Sequence, residues 1–494
     1  MAISKDQAIL TLTKLLDELK VREREVSILS RAYAGDFSLH YASEDFRAFF
    51  ADRYDKFSDN WCGIVADAPH ERLEVTGFRL PGQEKGDDGL RKVWLDTDSD
   101  AMSDLSFLDA IIAKRAYALV WSEDGKGEKP TISWEHPSQA IVGYDPETRQ
   151  RRAGAKVWSD DTTEYATLYL PDEIWKFQRT TSSLILPSKV LSSLGGWEPR
   201  LIGGESWPLK NPLGKVPLVE IPNRPRLLGE PMSDIDGALA MQHAANLFWA
   251  QLFAASDEAT IGQRVILGAE RPTIPVLDSE GRDTGATRPI DLKKFARGSA
   301  IWLEDPGAKV DQWQAANLKV FTDVLEVMVG HIAAQTRTPA HYLLIGGTIA
   351  NVSGDAMKAL ETGLVKRTEE KTQHFGRGVR DVFELVALVQ DDQEKAAKVR
   401  EGVTLWKDVE NRSDAQRADA LLKKSTIGYP LRYLMELDGM SPTDIERVMQ
   451  MVREEAADPV LQRLLNKTGN GDQTNQATAK APTDGGGNAA PGVG

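Results

Sequence analysis

The sequence predicts an α+β fold, and three features of the chain predict it. A helical N-terminal stretch gives way to a block of short strands over 117–179. Two amphipathic helices, 233–261 and 317–335, bracket a segment of strands and turns over 262–311. A much longer helix then runs from Ser353 or Gly354 to about Gln390. Segregated helices and short turn-bounded strands, without regular βαβ alternation, are the pattern of α+β rather than α/β proteins.

Taken in order, Ser4 to Arg31 carries apolar residues at Ile9, Leu12, Leu15, Leu16 and Leu19, the spacing of one helix face. Ser4 and Gln7 make a capping box, and Gly35 offers a left-handed stop. A second helical region covers 42–73, a strand-like piece spans Glu74 to Arg79, and Pro81 to Gly89 reads as a polar loop. A third helix is expected over 104–116. Strands follow at Tyr117–Ser122, Thr131–Glu135, Gln139–Tyr144, Gly154–Trp158, Tyr165–Tyr169 and Glu173–Gln178, as one antiparallel meander. Thr181 to Gly214 reads as an irregular loop, and Pro217 to Pro222 as a strand.

Ser233 and Asp236 form a second capping box ahead of the 233–261 helix. Between the bracketing helices, strands are expected at Arg264–Leu267, Pro275–Leu277 and Ala300–Leu303. Thr336 to Gly354 interrupts helicity. The long helix beyond it has an apolar stripe of Met357, Leu360, Leu364, Val365, Phe375, Val379, Val382, Phe383 and Val386. Two or three shorter helices are expected over 408–458, broken at Pro430 and Pro442, and 467–494 has the composition of a disordered tail. The helix–insertion–helix arrangement reads either as a stalk with the insertion at its tip or as an α+β domain with a hairpin insertion.

Composition narrows the function. The chain has 494 residues, 41% hydrophobic and 27% charged, enough for a sizeable core. Its net charge of −14, from 60 basic and 74 acidic residues, opposes tight DNA binding over most of the surface. A wall past which DNA must slide is compatible with that balance. The single cysteine, Cys62, excludes an intrachain disulfide and suits a reducing cytoplasm. The N-terminus lacks a basic start followed by an apolar run, so no signal peptide is expected. The most apolar stretch, Leu239 to Ala255, contains Gln242, His243, Asn246 and Gln251, so no membrane span is expected.

No phosphate-binding Gly-x4-Gly-Lys loop, zinc-protease motif or nucleophile elbow occurs. Asp96, Asp98 and Asp100 start like a calcium loop, but Ala101 and Phe107 occupy the positions that need Gly and Glu. The seven histidines are scattered. No catalytic residue, metal or cofactor is expected.

Several stretches, each weak alone, occur in an order that resembles the phage portal proteins, especially those of siphophages and actinophages. They are Tyr33 to Asp36, Asn60 to Phe78, Ala116 to Trp121, His136 to Pro146, Val216 to Pro225, Gly229 to Ile235, Gln335 to Leu343 and Ser353 to Thr362. The resemblance covers roughly residues 5–465. It implies a portal fold with a helical and β wing (1–230), a two-helix stem (231–262 and 312–336) and a small α/β clip (263–311). It further implies a tunnel loop (337–353), a long wing helix (354–391), a helical crown (392–466) and the disordered tail (467–494).

The same resemblance implies a dodecameric ring at one capsid vertex, assembled in the host cytoplasm. DNA would pass through it non-specifically during packaging and ejection. Its partners would be the terminase large subunit, head-completion and adaptor proteins, and the major capsid and scaffold proteins.

Within 337–353, Gly346, Gly347, Thr348, Ile349, Ala350, Asn351 and Val352 are small and uncharged, suiting a loop that approaches DNA without a fixed salt bridge. An ordinary helix–helix linker would also look like this. Lys319, Arg337 and Lys358 are candidate phosphate contacts or, equally, solvated or intersubunit charges. The first rival reading is a capsid-associated adaptor or minor head protein without a DNA channel, and the second is an enzyme whose site would draw on Asp96, Asp98 and Asp100 with a histidine.

Overall fold

The computed structural model describes residues 3–37, 44, 59–122, 129–180, 196–260, 264–267, 273–277, 279–289, 300–303, 317–343, 354–410, 414–440 and 442–457. The chain divides into two compact units, Met1–Asn411 and Arg412–Gly494.

Helix α1 (Lys5–Tyr33) starts at the expected capping box: Gln7 N donates to Ser4 Oγ at 3.3 Å, and Ser4 N donates to Gln7 Oε1 at 3.0 Å. Its N-terminal stripe, Ala8, Leu12, Leu15, Leu16 and Leu19, is buried on one face of a sheet. Helix α2 (Trp61–His70) is capped by Asn60, whose amide also donates to the carbonyl of Tyr33 at 2.7 Å, tying the two helices together. Strand β1 (Val75–Arg79) follows.

The expected 81–89 loop ends early, because Asp87 accepts from Leu90 N and starts α3 (Asp88–Asp96). Helix α4 (Ser99–Ala113) both begins and ends earlier than expected. Lys114 turns left-handed at φ 75°, and extended chain starts at Arg115.

The strands are β2 (Arg115–Trp121), β3 (Thr131–Glu135), β4 (Ala140–Tyr144), β5 (Arg151–Ser159), β6 (Thr163–Tyr169) and β7 (Glu173–Thr180). The short β8 (Glu198–Pro199) and β9 (Leu209–Lys210) lie inside the expected 181–214 loop, and β10 is Leu218–Pro222. They do not make one meander. β4 to β7 do so and take β8 and β9 on β7, whereas β2 sits between β3 and β10 in a separate sheet. The reason is burial. β2 hides Arg115, Ala116, Tyr117, Ala118 and Val120, so both its edges and both its faces need cover, and the later β10 supplies an edge. Tyr117, Val142, Tyr169, Ile174, Val216 and Leu218 form the small core between the two sheets.

Helices α5 (Asp236–Thr260) and α6 (Leu318–Thr336) lie side by side and antiparallel. Gly237 sits against Gln335 and Thr336, while Phe248 meets Phe321 with ring centroids 6.2 Å apart. Between the helices, β11 (Arg264–Leu267) pairs in parallel with β14 (Ala300–Leu303). A hairpin of β12 (Thr273–Leu277) and β13 (Asp283–Pro289) completes the inserted strands, β13 being an addition to the sequence expectation.

After the short α7 (Ala340–Leu343), α8 (Gly354–Val389) enters the main core. Its Phe375 stacks on Phe107 with centroids 5.1 Å apart, and Phe383 packs on Phe78 at 5.0 Å. Leu360, expected in the buried stripe, is 53% exposed, because the stripe is covered only from Leu364 onward. Helix α9 (Gln393–Arg400) and β15 (Val403–Trp406) were not expected from the sequence. β15 pairs antiparallel with β1 and so belongs to the first unit.

The second unit holds α10 (Asp414–Thr426), α11 (Leu431–Leu437) and α12 (Pro442–Ala457), with the expected breaks at Pro430 and Pro442. Among the described residues of this unit, Leu434 and Ile445 are the buried apolar ones, and Arg417 pairs with Asp438 at 3.4 Å.

Candidate functional site

The region from the start of α5 to the first half of α8 holds the loop residues and cations expected near DNA, and the geometry at its root starts from one buried carboxylate. Asn223, at the end of β10, is fully buried and donates to the carbonyl of Met232 at 2.8 Å and to Asp234 Oδ1 at 3.0 Å. Asp234 N donates to the carbonyl of Ile111 at the end of α4. Ser233 accepts from Ile235 N at 3.2 Å, and Asp236 accepts from Ser233 N at 3.0 Å. The second capping box is thus half formed, its serine serving Ile235 rather than Asp236.

Two cations from α8 close on Asp234. Lys371 Nζ lies 2.9 Å from Oδ1 and 2.8 Å from Oδ2, and also donates to Asn223 Oδ1 at 2.8 Å. Arg367 Nε stands 3.3 Å from Oδ2, an ion pair without hydrogen-bond alignment. The other guanidinium nitrogens donate to the carbonyl of Thr336, to Thr338 Oγ1 at 3.3 Å and to the carbonyl of Val65 at 2.6 Å. Burial by itself would raise the Asp234 carboxyl. Lys371, Arg367 and the Asn223 hydrogen bond outweigh it and hold the group below the ordinary carboxylate range. Burial draws Lys371 below the ordinary lysine range, and Asp234 opposes that shift.

Just beyond α6, a second cluster flanks the interrupted stretch. Arg72 donates to Tyr342 Oη at 2.8 Å, to Glu361 at 3.3 Å and to the carbonyl of Val409 at 3.3 Å. Tyr342 donates to the same Glu361 at 3.3 Å, and His341 Nε2 lies 3.8 Å from it.

The three candidate cations are not brought together. Lys319 is in the first turn of α6, 75% exposed, and paired with Asp323 at 2.7 Å. Arg337 is exposed and left-handed at φ 54°, capping the other end of α6 against Gly363. At 1.5 Å per residue, the helix separates these two by about 27 Å. Lys358 is half-buried near the start of α8. Gly346, Gly347, Thr348, Ile349, Ala350, Asn351 and Val352 lie outside the described residues, as does the 467–494 tail.

Cys62 is fully buried, and burial pushes its thiol up to about 12, which suits a packing role. Asp98 is left-handed at φ 50° and starts α4 without a side-chain cap. Among the described residues, no group of three or more His, Cys, Asp and Glu side chains could hold a metal ion. Among them too, no helix is long and apolar enough to cross a membrane.

The family model for phage portal protein, SPP1 Gp6-like, matches residues 16–447. The chain belongs to this family. Membership gives it the role of a portal-vertex protein of tailed-phage origin. Among the similar proteins of this portal family are the portal proteins of Mycobacterium phage D29 and Mycobacterium phage L5. Each is 27% identical over 415 residues, spanning 80% of this chain and 78% of the relative. Two solved structures are similar at lower levels. The neck of an empty GTA particle, computed with C6 symmetry, gives a TM-score of 0.41 at 9% identity, covering 81% of this chain and 94% of that one. The neck of a native GTA particle, computed with C12 symmetry, gives 0.38 at 10% identity, covering 84% and 98%.

Asp234, Arg367 and Lys371 are the residues that sequence reading passes over. A signal is present, because Leu364, Thr368, Lys371, Phe375, Val379, Val382 and Val386 keep the spacing of one helix face and all are buried. The face runs through Lys371 without interruption, and reading only its apolar members hides that.

Proposed function

We propose that the chain is one subunit of a closed dodecameric ring at a capsid vertex, through which double-stranded DNA is packaged and ejected. The observation that carries this reading is the family match over 16–447, which spans nearly the whole described chain. The antiparallel α5/α6 pair with strands inserted between its far ends supports a stem and clip, at 231–262, 312–336 and 263–311. In the same layout 1–230 is the N-terminal part of the wing, 354–391 the long wing helix and 392–466 the crown. Residues 337–353 are the tunnel loop, whose Gly346 to Val352 approach the DNA.

Arg337 and Lys358 flank that loop and are the proposed phosphate contacts. Lys319, neutralised by Asp323, contributes only when that pair opens. The remaining acidic balance keeps the wall from holding the strand. The terminase large subunit would dock on the clip during packaging and head-completion proteins afterwards, with capsid and scaffold proteins against the wing.

Native mass spectrometry with negative-stain imaging of the purified chain tests the ring. The expected result is a closed particle of about a dozen subunits with a central hole, as the family's symmetry implies. A monomer that persists with scaffold and shell proteins present would favour an adaptor without a channel.

A further inference from the structure

The excursion of the chain through α5, the inserted strands and α6 is held at both ends by two side chains of one helix. Where it leaves the core, Asp234 takes Lys371 and Arg367 as ion partners. Where it returns, the Thr336 carbonyl and the Thr338 hydroxyl accept from the same Arg367. Arg367 and Lys371 are one turn apart on α8, and all three charged side chains are at most 5% exposed. The cluster also reaches α2 through Val65 and β10 through Asn223. Helices, sheet and both roots of the pair therefore meet at one point.

An ion cluster this deep adds little net stability over apolar packing of equal volume, because desolvation offsets the Coulomb attraction. Its distinct property is direction. Apolar contact is non-directional, whereas N–H···O bonds weaken steeply once bent or stretched. We infer that Asp234, Arg367 and Lys371 are positioning residues that lock the direction of the α5/α6 pair relative to the sheets. Their charge serves that orientation rather than the stability of the fold. The lock acts within one chain and is independent of ring formation.

The test is a spin-label distance measurement on the full chain, with labels at Lys319→Cys on α6 and Arg152→Cys on β5, both exposed positions. Cys62 is fully buried and escapes labelling. Labelled chain is diluted with unlabelled chain so that any ring carries one pair. The unsubstituted joint gives one narrow distance distribution. The triple variant Asp234→Leu, Arg367→Met, Lys371→Met is expected to unfold at the wild-type denaturant midpoint or above, with a distribution at least twice as wide.

A distribution as narrow as wild type in the folded triple variant overturns the lock. A midpoint well below wild type overturns the claim that the charges are not there for stability. Should the triple variant not fold, the near-isosteric Asp234→Asn decides: broadening supports the lock, and an unchanged width removes it.

Discussion

Helices α8 and α6 are both amphipathic, but among the described residues only α8 has its apolar face largely covered. From Leu364 to Val389, α8 buries its stripe except for half-buried Val365, with Phe375, Val379, Val382 and Val386 at 0% exposure. Helix α6 buries Leu325, Val329, Ile332 and Ala333 toward its C-terminal end, yet leaves Val320 at 56% and Val327 at 60% exposed. Those two valines are seven residues apart and share a face. The α8 half of the molecule thus carries stability. The α6 half presents apolar surface that a neighbouring subunit would cover in the proposed ring.

The sharpest break of that contrast is at the joint. Asp234→Ala leaves two buried cations without their anion, and about 3–5 kcal/mol of unfolding free energy should be lost in denaturant titration. Next in size is Gly378→Ala on α8, where a new Cβ would stand 2.7 Å from Ile221 Cγ1. Overpacking there should cost about 1–3 kcal/mol, and Ile221→Ala in the same chain should recover part of it. If α8 tolerated this methyl freely, its half would be no better packed than the α6 half.

The joint also has a pH signature. Asp234 has a folded-state value below its unfolded one, so its stabilisation is present above the unfolded carboxylate value, about 3.9, and is lost as pH falls through the folded value. The stability difference between wild type and Asp234→Asn should be constant near neutral pH and close only in strong acid, as read by denaturant melts across pH. A gap that closed above pH of about 5 would show that the carboxyl is not held down by its partners.

On α6 the expected effects on folding are smaller. Val327→Asp should leave monomer stability within about 0.5 kcal/mol of wild type, as for a surface site, while native mass spectrometry should show the proposed ring lost. Lys319→Ala should leave both the thermal midpoint and ring assembly unchanged, since Asp323 already neutralises it on the surface.

Local signals were legible. Ser4 with Gln7, the Tyr429-Pro430 and Ser441-Pro442 breaks and the strands Thr131–Glu135, Arg264–Leu267 and Ala300–Leu303 all rest on short-range chemistry, and the elements form there. Non-local pairings were not legible. β15 finds β1 more than three hundred residues upstream (Val75 opposite Trp406), and β10 reaches back to β2. No periodicity encodes which distant strand supplies an edge.

The sequence by itself determined the α+β class, the bracketing and long helices and, through ordered resemblances along the chain, the family. Only the tertiary structure decided that the strands divide into separate sheets with β2 between β3 and β10, that the α8 stripe is buried mainly from Leu364 onward, and that Asp234, Arg367 and Lys371 meet. The physical reason lies in range. Caps, turns and amphipathic spacing act over a few residues. A buried charge declares its partner only when folding brings residues 234, 367 and 371 into one desolvated point.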